Sequence, residues 1–280
     1  MQPNRFGRKR VHLFVFSRQN LVWRYCTADR ALVVDGKVYT SAQIERGDIK
    51  QTAERAKDKL SIKCAYLLDP SALEYPSTQP LGDNWFPTIP SDPVTVVCLG
   101  YDAGEGNAPT VEWMGEVTQP KFTDTELELL CEPTNGLGRA RGQGMKWQRT
   151  CGKTPYSTGI RGCNLDAALY EVNGVVTSVT TAGITVAEFA SAPFPLGGGY
   201  ITWARPNGII ERRSITGHAG DTVALMFGAD GLAVGAVVSS WPTCPRTWSA
   251  CLARDNTLNY GGSIYKPVKN PLDGVSMSWG

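Results

Sequence analysis

Short runs of alternating apolar and polar residues fill the chain from Val11 to Cys131. They are rich in β-branched and aromatic residues and are separated by turn residues, which is typical of β-strands with one buried face. Asp35-Gly36 lies between two apolar runs and predicts a tight hairpin, because both central residues of such a turn need a positive φ. Residues 60–64 alternate and predict another strand, which a short helix precedes in one interpretation.

Residues 69–93 interrupt this pattern with six prolines. These are Pro70, Pro76, Pro80, Pro87, Pro90 and Pro93. So many prolines predict a long surface loop without regular structure. Residues 94–99, 111–117 and 126–131 then predict the strands that complete a first β domain.

Residues 133–144 are rich in glycine and arginine and predict a linker. The expected domains are residues 1–132 and 145–280. In the second domain, Asn173-Gly174 predicts another hairpin turn, and the Val/Thr alternation over 177–186 predicts paired strands.

A bend at Gly197-Gly198-Gly199 precedes apolar residues 200–204, and a Pro206-Asn207 turn precedes 208–212. The expected fold class is mainly β, with two β-barrel-like domains and few short helices.

Composition narrows the function classes. Hydrophobic residues make up 42% of the chain, charged residues 19%, and the formal net charge is +2 with the charges spread out. This balance suits a globular protein and gives no field that would select nucleic acid or an anionic membrane as the main partner. No run approaches the roughly 18 apolar residues of a membrane-spanning helix, and the apolar run at 13–16 is too short for a signal peptide. We therefore expect a soluble protein in a reducing compartment, where thiols stay free or bind metal.

Four of the eight cysteines form two pairs near the ends of the second domain. These are Cys151 and Cys163, then Cys244 and Cys251. Four thiolates are the ligand set of structural zinc or of an iron–sulfur cluster. The loops between paired cysteines are wider than the usual zinc knuckle, which favours a [4Fe–4S] cluster, with zinc as the alternative.

The remaining cysteines end or lie within apolar runs, where cysteine usually acts as a small buried hydrophobe. They are Cys26, Cys64, Cys98 and Cys131.

Short motifs in both halves of the chain match one known family. In the second half they are residues 147–151, Tyr156, residues 162–164, the second cysteine pair, residues 256–262, Pro267 and Asn270-Pro271. In the first half they are residues 25–30, 36–40, 44–49 and 130–133. With these residues, which span nearly the whole chain, the sequence resembles the tail-tip hub proteins of siphophages and gene transfer agents, similar in role to minor tail protein L of lambda-like phages.

The resemblance implies a structural virion protein of the phage tail tip, assembled in the bacterial cytoplasm, with β-barrel domains of tail-hub type. It implies a [4Fe–4S] cluster held by Cys151, Cys163, Cys244 and Cys251. It also implies a homotrimer that joins the sixfold tail tube and distal tail protein to the threefold central fibre protein. DNA would be passing cargo, and no stable membrane association is implied.

Other functions find less support. A Cys–His nucleophile would need His12 or His218, and no peptidase motif surrounds a cysteine. The carboxylates near turns are better read as caps or solvated groups than as an acid–base pair; they are Asp29, Glu45, Asp48 and Asp221. We therefore expect no enzyme activity.

Two alternatives keep the cysteine site. One is an iron–sulfur redox protein, although no nucleotide-cofactor motif accompanies the cysteines; Gly197-Gly198-Gly199 lacks the lysine and helix of a phosphate loop. The other is a zinc-containing nucleic-acid-binding protein that stacks bases on Trp203, Trp241 and Trp248, but no basic stripe accompanies these tryptophans.

Overall fold

The computed structural model describes residues 10–49, 58–86, 89–102, 108–134, 147–229 and 231–267. Within these residues the protein is mainly β, with two short α-helices, which confirms the expected fold class. In the same residues, no helix combines the length and the apolar character needed to cross a lipid bilayer.

The chain divides into two compact units. The first contains Met1–Arg141 together with Ala204–Glu211, and the second contains Gly142–Trp203 together with Arg212–Gly280. The expected linker lies mostly at positions outside the described residues, as does the helix expected before residue 60. The domain boundaries at 132 and 145 stay predictions.

A nine-stranded sheet forms the first unit. Its strands are β1 (Arg10–Arg18), β2 (Leu21–Cys26), β3 (Leu32–Val34), β4 (Lys37–Ser41), β5 (Ile44–Arg46), β6 (Leu60–Ala65), β7 (Thr95–Asp102), β8 (Thr110–Phe122) and β9 (Glu126–Pro133). Their order in the sheet is β3-β4-β2-β1-β7-β8-β9-β6-β5. Neighbours are antiparallel except β2 and β4, which are parallel.

Strand β1 buries side chains on both faces of this sheet. Phe14 and Phe16 belong to the main core, whereas Val11 and Leu13 belong to a second apolar cluster. Successive side chains of a strand point to opposite faces, so both faces must be covered. This explains why β1 reads as a nearly continuous apolar run instead of a strict alternation.

The tight hairpin predicted at Asp35-Gly36 is confirmed. Asp35 and Gly36 connect β3 and β4 with φ values of 51° and 71°.

The four strand cysteines are also buried as predicted, with exposures between 0% and 2%. They are Cys26, Cys64, Cys98 and Cys131.

The proline-rich segment is not the structureless loop that was predicted. Helix α1 (Gln79–Gly82) lies within it and takes Pro80 in its first turn, where the missing N–H costs no hydrogen bond. Leu81 and Trp85 join the main core of the unit. Proline density excludes long elements, but it does not exclude one helical turn.

A buried ion pair ties segment 204–211 into the first unit. Arg18 Nη2 donates to Glu211 Oε1 at 2.8 Å, and both side chains are 0% exposed. Arg205 Nε lies 2.8 Å from the same oxygen, and the Ser91 N–H donates to Oε2 at 3.2 Å. Glu211 therefore holds residues that are distant in sequence in one polar cluster.

A closed six-stranded barrel makes up most of the second unit, while Ala204, Ile210 and Glu211 at the ends of two of its strands are grouped with the first unit. Its strands are β10 (Val172–Val179), β11 (Gly183–Val186), β12 (Tyr200–Ala204), β13 (Ile210–Ala219), β14 (Thr222–Leu225) and β15 (Val237–Trp241). Their order is β10-β11-β14-β13-β12-β15. The interior is apolar, with Phe189, Leu196 and Ile201 completely buried. The bend before β12 and the turn before β13 are formed as predicted, through Gly199 N–H to Leu196 O and Gly208 N–H to Arg205 O.

The prediction of a turn at Asn173-Gly174 is wrong. Both residues lie inside β10, where Asn173 is opposite Ser239 and Gly174 is opposite Val238. A Cβ on Gly174 would lie 2.4 Å from Val186 Cγ1. The glycine therefore serves a close approach within the barrel and not a reversal of the chain.

Candidate metal centre

The four cysteines of the predicted centre flank the barrel in sequence, one pair before β10 and one pair after β15. Because β10 and β15 are antiparallel neighbours with Val172 opposite Ser240, the chain enters β10 and leaves β15 at the same end of the barrel. We call these two flanking segments, residues 147–171 and 242–267, the cysteine module. Strand pairing thus brings together two cysteine pairs that are far apart in the sequence.

All four cysteines line one cavity in the cysteine module. Cys151 is 9% exposed, and Cys163 and Cys251 are each 8% exposed, while Cys244 is partly exposed. The residues that the sequence singled out therefore converge.

Backbone contacts fix the cysteines in place. The Cys151 N–H donates to Arg246 O at 2.8 Å and so links the two cysteine segments. The Cys163 N–H donates to Ser157 Oγ at 3.0 Å. Cys251 lies in helix α2 (Trp248–Leu252), which Thr247 caps by accepting the Ala250 N–H at 3.2 Å. Cys163 and Cys251 are thus held by local side-chain contacts, and Cys151 is held by a contact between the two segments.

Several N–H groups point at sulfur atoms. Gly261 N lies 3.3 Å from Cys151 Sγ, and Arg246 N lies 3.4 Å from Cys244 Sγ. Asn256 Nδ2 lies 3.6 Å from Cys163 Sγ. N–H donors of this kind are common around the sulfur atoms of metal-bound cysteines. This environment suits cysteines that act as ligands.

Positively charged side chains also surround the cavity. Lys153, Arg246 and Arg254 line it together with the cysteines. Burial raises the pKa of the Cys251 thiol, and the neighbouring Cys244, Cys151 and Cys163 raise it further. Because thiolates this close to one another are mutually repulsive, a full set of four needs a cation at the centre.

The size of the cavity bears on which cation fits. The cavity has a volume of about 10 Å³ for the centre of a water molecule, so it holds roughly one water. In the described residues, no three or more His, Cys, Asp or Glu side chains are arranged to hold a metal ion directly. The four thiols are the right kind of donor for a thiolate-bound centre, but as placed in the described residues they are not arranged to hold a metal ion.

Comparison with known proteins places the fold. No protein-family model matches the chain. An uncharacterized protein of Xylella fastidiosa (strain 9a5c) is 29% identical, and the match covers 99% of this chain and 98% of that protein. A chain of the solved virion of native gene transfer agent (GTA) particle matches with a TM-score of 0.70 at 14% identity, covering 97% of this chain and 94% of that chain. The fold of the chain thus has a counterpart in a solved structure.

The two histidines occupy structural positions. His218 Nδ1 accepts the Leu196 N–H at 3.1 Å, and its Nε2 lies 2.9 Å from Gly220 O. His218 lies near the end of β13, and a turn follows at Gly220. His12 Nδ1 lies 3.4 Å from Glu112 Oε2 in an ionic cluster on the sheet of the first unit.

The three tryptophans considered for base stacking have different environments. Trp203 is 4% exposed and belongs to the barrel core. Trp241 stacks on Tyr200, and its indole N–H donates to Ala167 O at 3.1 Å. Trp248 is 40% exposed and meets Tyr260 edge to face. They do not form one stacking platform.

Sequence reasoning missed the polar residues that surround the cysteines. Asn256 touches both Cys163 and Cys251, and Arg254 donates to Ala250 O and Thr243 O. The Arg254 guanidinium also lies 4.0 Å from the centre of the Phe194 ring. The available signal was the asparagine spacing in residues 256–259, which belonged to the family resemblance but carried no assigned role.

Proposed function

We propose that this chain is a structural protein of a virion of the bacteriophage or gene transfer agent type. The observation that carries the proposal is the match to a chain of the gene transfer agent particle over 97% of this chain. The particle is an assembly, so a chain with this fold is expected to assemble with other virion proteins and to need no catalytic residues.

Within the virion we propose the tail tip as its position. The chain would form a homotrimer between the sixfold tail tube with its distal tail protein and the threefold central fibre protein. The first unit supports self-association, because β3 and β5 end its sheet and strand edges favour pairing with other chains. Val33 and Val38 are opposite each other on the β3–β4 hairpin and are 69% and 60% exposed. A ring of such subunits would use heterologous contacts.

We further propose that the cysteine module holds a [4Fe–4S] cluster through Cys151, Cys163, Cys244 and Cys251. Four thiols around a shared cavity support a thiolate-bound centre. The wide loops between the paired cysteines favour a multi-iron group over zinc. A bound cluster would supply metal–thiolate bonds made only in the folded state, so it would stabilise the module.

Electron transfer is the second candidate for the same site, since iron–sulfur clusters commonly carry electrons. It is favoured only by the partial exposure of Cys244. The structural role is the stronger proposal, because a bound centre would join two segments that are far apart in the sequence.

The assembly proposal is tested on particles. Electron microscopy of purified particles with an antibody fragment against this chain should place three copies at the tail tip. Particles that lack the chain, or that carry it on the capsid, would contradict the proposed position. Full-length particles produced in normal numbers from a deletion strain would contradict a structural role altogether.

The cofactor proposal is tested on the chain itself. Protein purified without oxygen should contain about four irons per chain and absorb broadly in the visible range. Stoichiometric zinc without iron would replace the cluster with the alternative centre. Protein with neither metal after anaerobic reconstitution would exclude a metal centre.

A further inference from the structure

A chain of three side-chain amides runs through the cysteine module to a sulfur atom. Asn164 Nδ2 donates to Asn259 Oδ1 at 3.1 Å, and Asn259 Nδ2 donates to Asn256 Oδ1 at 2.7 Å. Asn256 Nδ2 then donates to Cys163 O at 2.8 Å and lies 3.6 Å from Cys163 Sγ. All three amides donate in the same direction, toward the cavity that the cysteines line.

The hydrogen-bonded amides fix the orientation of the Asn256 side chain. Asn256 is 7% exposed, and its Oδ1 is already occupied by the Asn259 amide. Its NH2 group therefore has to face Cys163, because a flipped amide would place two donors against each other. The first member is fixed as well, since Asn164 Oδ1 accepts the Gly159 N–H at 2.9 Å.

Asn256 also contacts the second cysteine pair. Its backbone N–H donates to Cys251 O at 3.0 Å, and its backbone O accepts the Cys251 thiol at 3.0 Å. One buried residue thus contacts one cysteine from each pair.

We propose that Asn256 is the positioning residue of the four-cysteine centre. It holds Cys163 and Cys251 in register and directs an N–H group at the Cys163 sulfur. This inference rests on the proposed metal centre, in which Cys163 becomes a thiolate and the amide hydrogen bond to it becomes charge-assisted.

Two effects follow from such a residue. Outer hydrogen-bond partners orient metal ligands, and their loss typically reduces metal affinity roughly 10- to 100-fold. Hydrogen bonds to cluster sulfurs also set the reduction potential, because donors stabilise the more negative, reduced state. Removal of the Asn256 donor should therefore lower the potential, and a purely structural asparagine would not have this effect.

The test compares Asn256→Asp with Asn173→Asp in the full-length chain after anaerobic reconstitution with iron and sulfide. Asn256→Asp keeps the size of the side chain but turns an oxygen toward Cys163. Asn173 is exposed on β10 and accepts from Ser239 Oγ, which aspartate can also do. We expect Asn256→Asp to release iron to a chelator at least 10-fold faster and to shift the potential negatively. Asn173→Asp should match the wild type in both measurements.

Asn259→Ala, one step further from the sulfur, should give a smaller change in the same direction. Circular dichroism and thermal melting of the barrel identify any variant that fails to fold, and Asn259→Ala then carries the comparison. If the wild type loads with iron and both variants retain it with unchanged potential, the role of Asn256 is wrong while the centre stands. If the wild type itself takes up no iron, the proposed centre fails and the inference fails with it.

Discussion

The buried Glu211 carboxylate is the strongest single test of the first unit. Both Glu211 and Arg18 have fully buried side chains, so solvent does not screen their interaction. Glu211→Ala would leave the Arg18 and Arg205 guanidinium groups and the Ser91 N–H without this acceptor. Removal of one partner from a buried ion pair typically costs about 3–5 kcal/mol. That loss equals roughly two to three and a half powers of ten in the unfolding equilibrium constant.

Urea denaturation followed by tryptophan fluorescence measures this change, provided the slope of the transition is unchanged. Glu126→Ala is the matched control, because the Lys63–Glu126 pair is 43% exposed on each side and exposed pairs contribute little. A loss of less than about 1 kcal/mol for Glu211→Ala would show that water reaches this pair and would refute the reasoning.

The same carboxylate predicts a dependence on pH. Burial acts to raise the pKa of Glu211, but the hydrogen bond and charge of Arg18 and the charge of Arg205 outweigh it and lower the pKa. Because its pKa is lower in the folded state, the ionised carboxylate stabilises the fold at pH values above its ordinary pKa of 4.5. The contribution is lost as the pH falls through the lowered pKa. Glu211→Gln should therefore be less stable than the wild type at neutral pH, with the difference narrowing in acid.

Three further predictions concern single residues. Cys151→Ser and Cys251→Ser should each lower the iron content and the melting temperature of the second unit; unchanged values in both variants would argue against their role as ligands. Gly174→Ala should destabilise the barrel by about 1–3 kcal/mol, because its Cβ would overlap Val186, and a cost near zero in urea denaturation would show that the barrel yields at this point. Burial and the Arg46 charge lower the pKa of His12 and outweigh the Glu112 charge, which raises it. The stability of the fold should therefore decline as the pH falls below 6.5, the ordinary pKa of histidine. His12→Gln should reduce that decline relative to the wild type, and identical pH profiles would contradict it.

Local chemistry in the sequence was enough to predict the strands and some turns. Asp35-Gly36 was correctly placed because a two-residue hairpin depends only on its own residues and the flanking strands. Asn173-Gly174 has the same turn composition but lies in a strand, where the neighbouring Val186 side chain decides which residue fits. The propensity of a dipeptide was overruled by packing that the sequence does not display.

Long-range contacts were beyond sequence reasoning for a similar reason. Arg18 and Glu211 are 193 positions apart, and no local pattern marks either as half of a buried pair. The convergence of the cysteines depends on the pairing of β10 with β15, which requires the strand order of the barrel. The family resemblance grouped the four cysteines at one site, and the pairing of β10 with β15 is the physical reason that they come together.

The cysteine module needs a source of stability other than an apolar core. Among the described residues, none of its members belongs to the apolar clusters of the barrel or the sheet. Its buried interior consists largely of Cys151, Cys163, Cys251, Leu165 and Asn256. Segments that bury so little apolar surface offset their conformational entropy poorly, and small folds of this kind commonly depend on metal–ligand bonds. Hydrogen bonds and the Arg254 contact with Phe194 attach the module to its unit, but thiolate–metal bonds would join its two segments directly. This difference favours a stabilising role for the proposed centre over electron transfer.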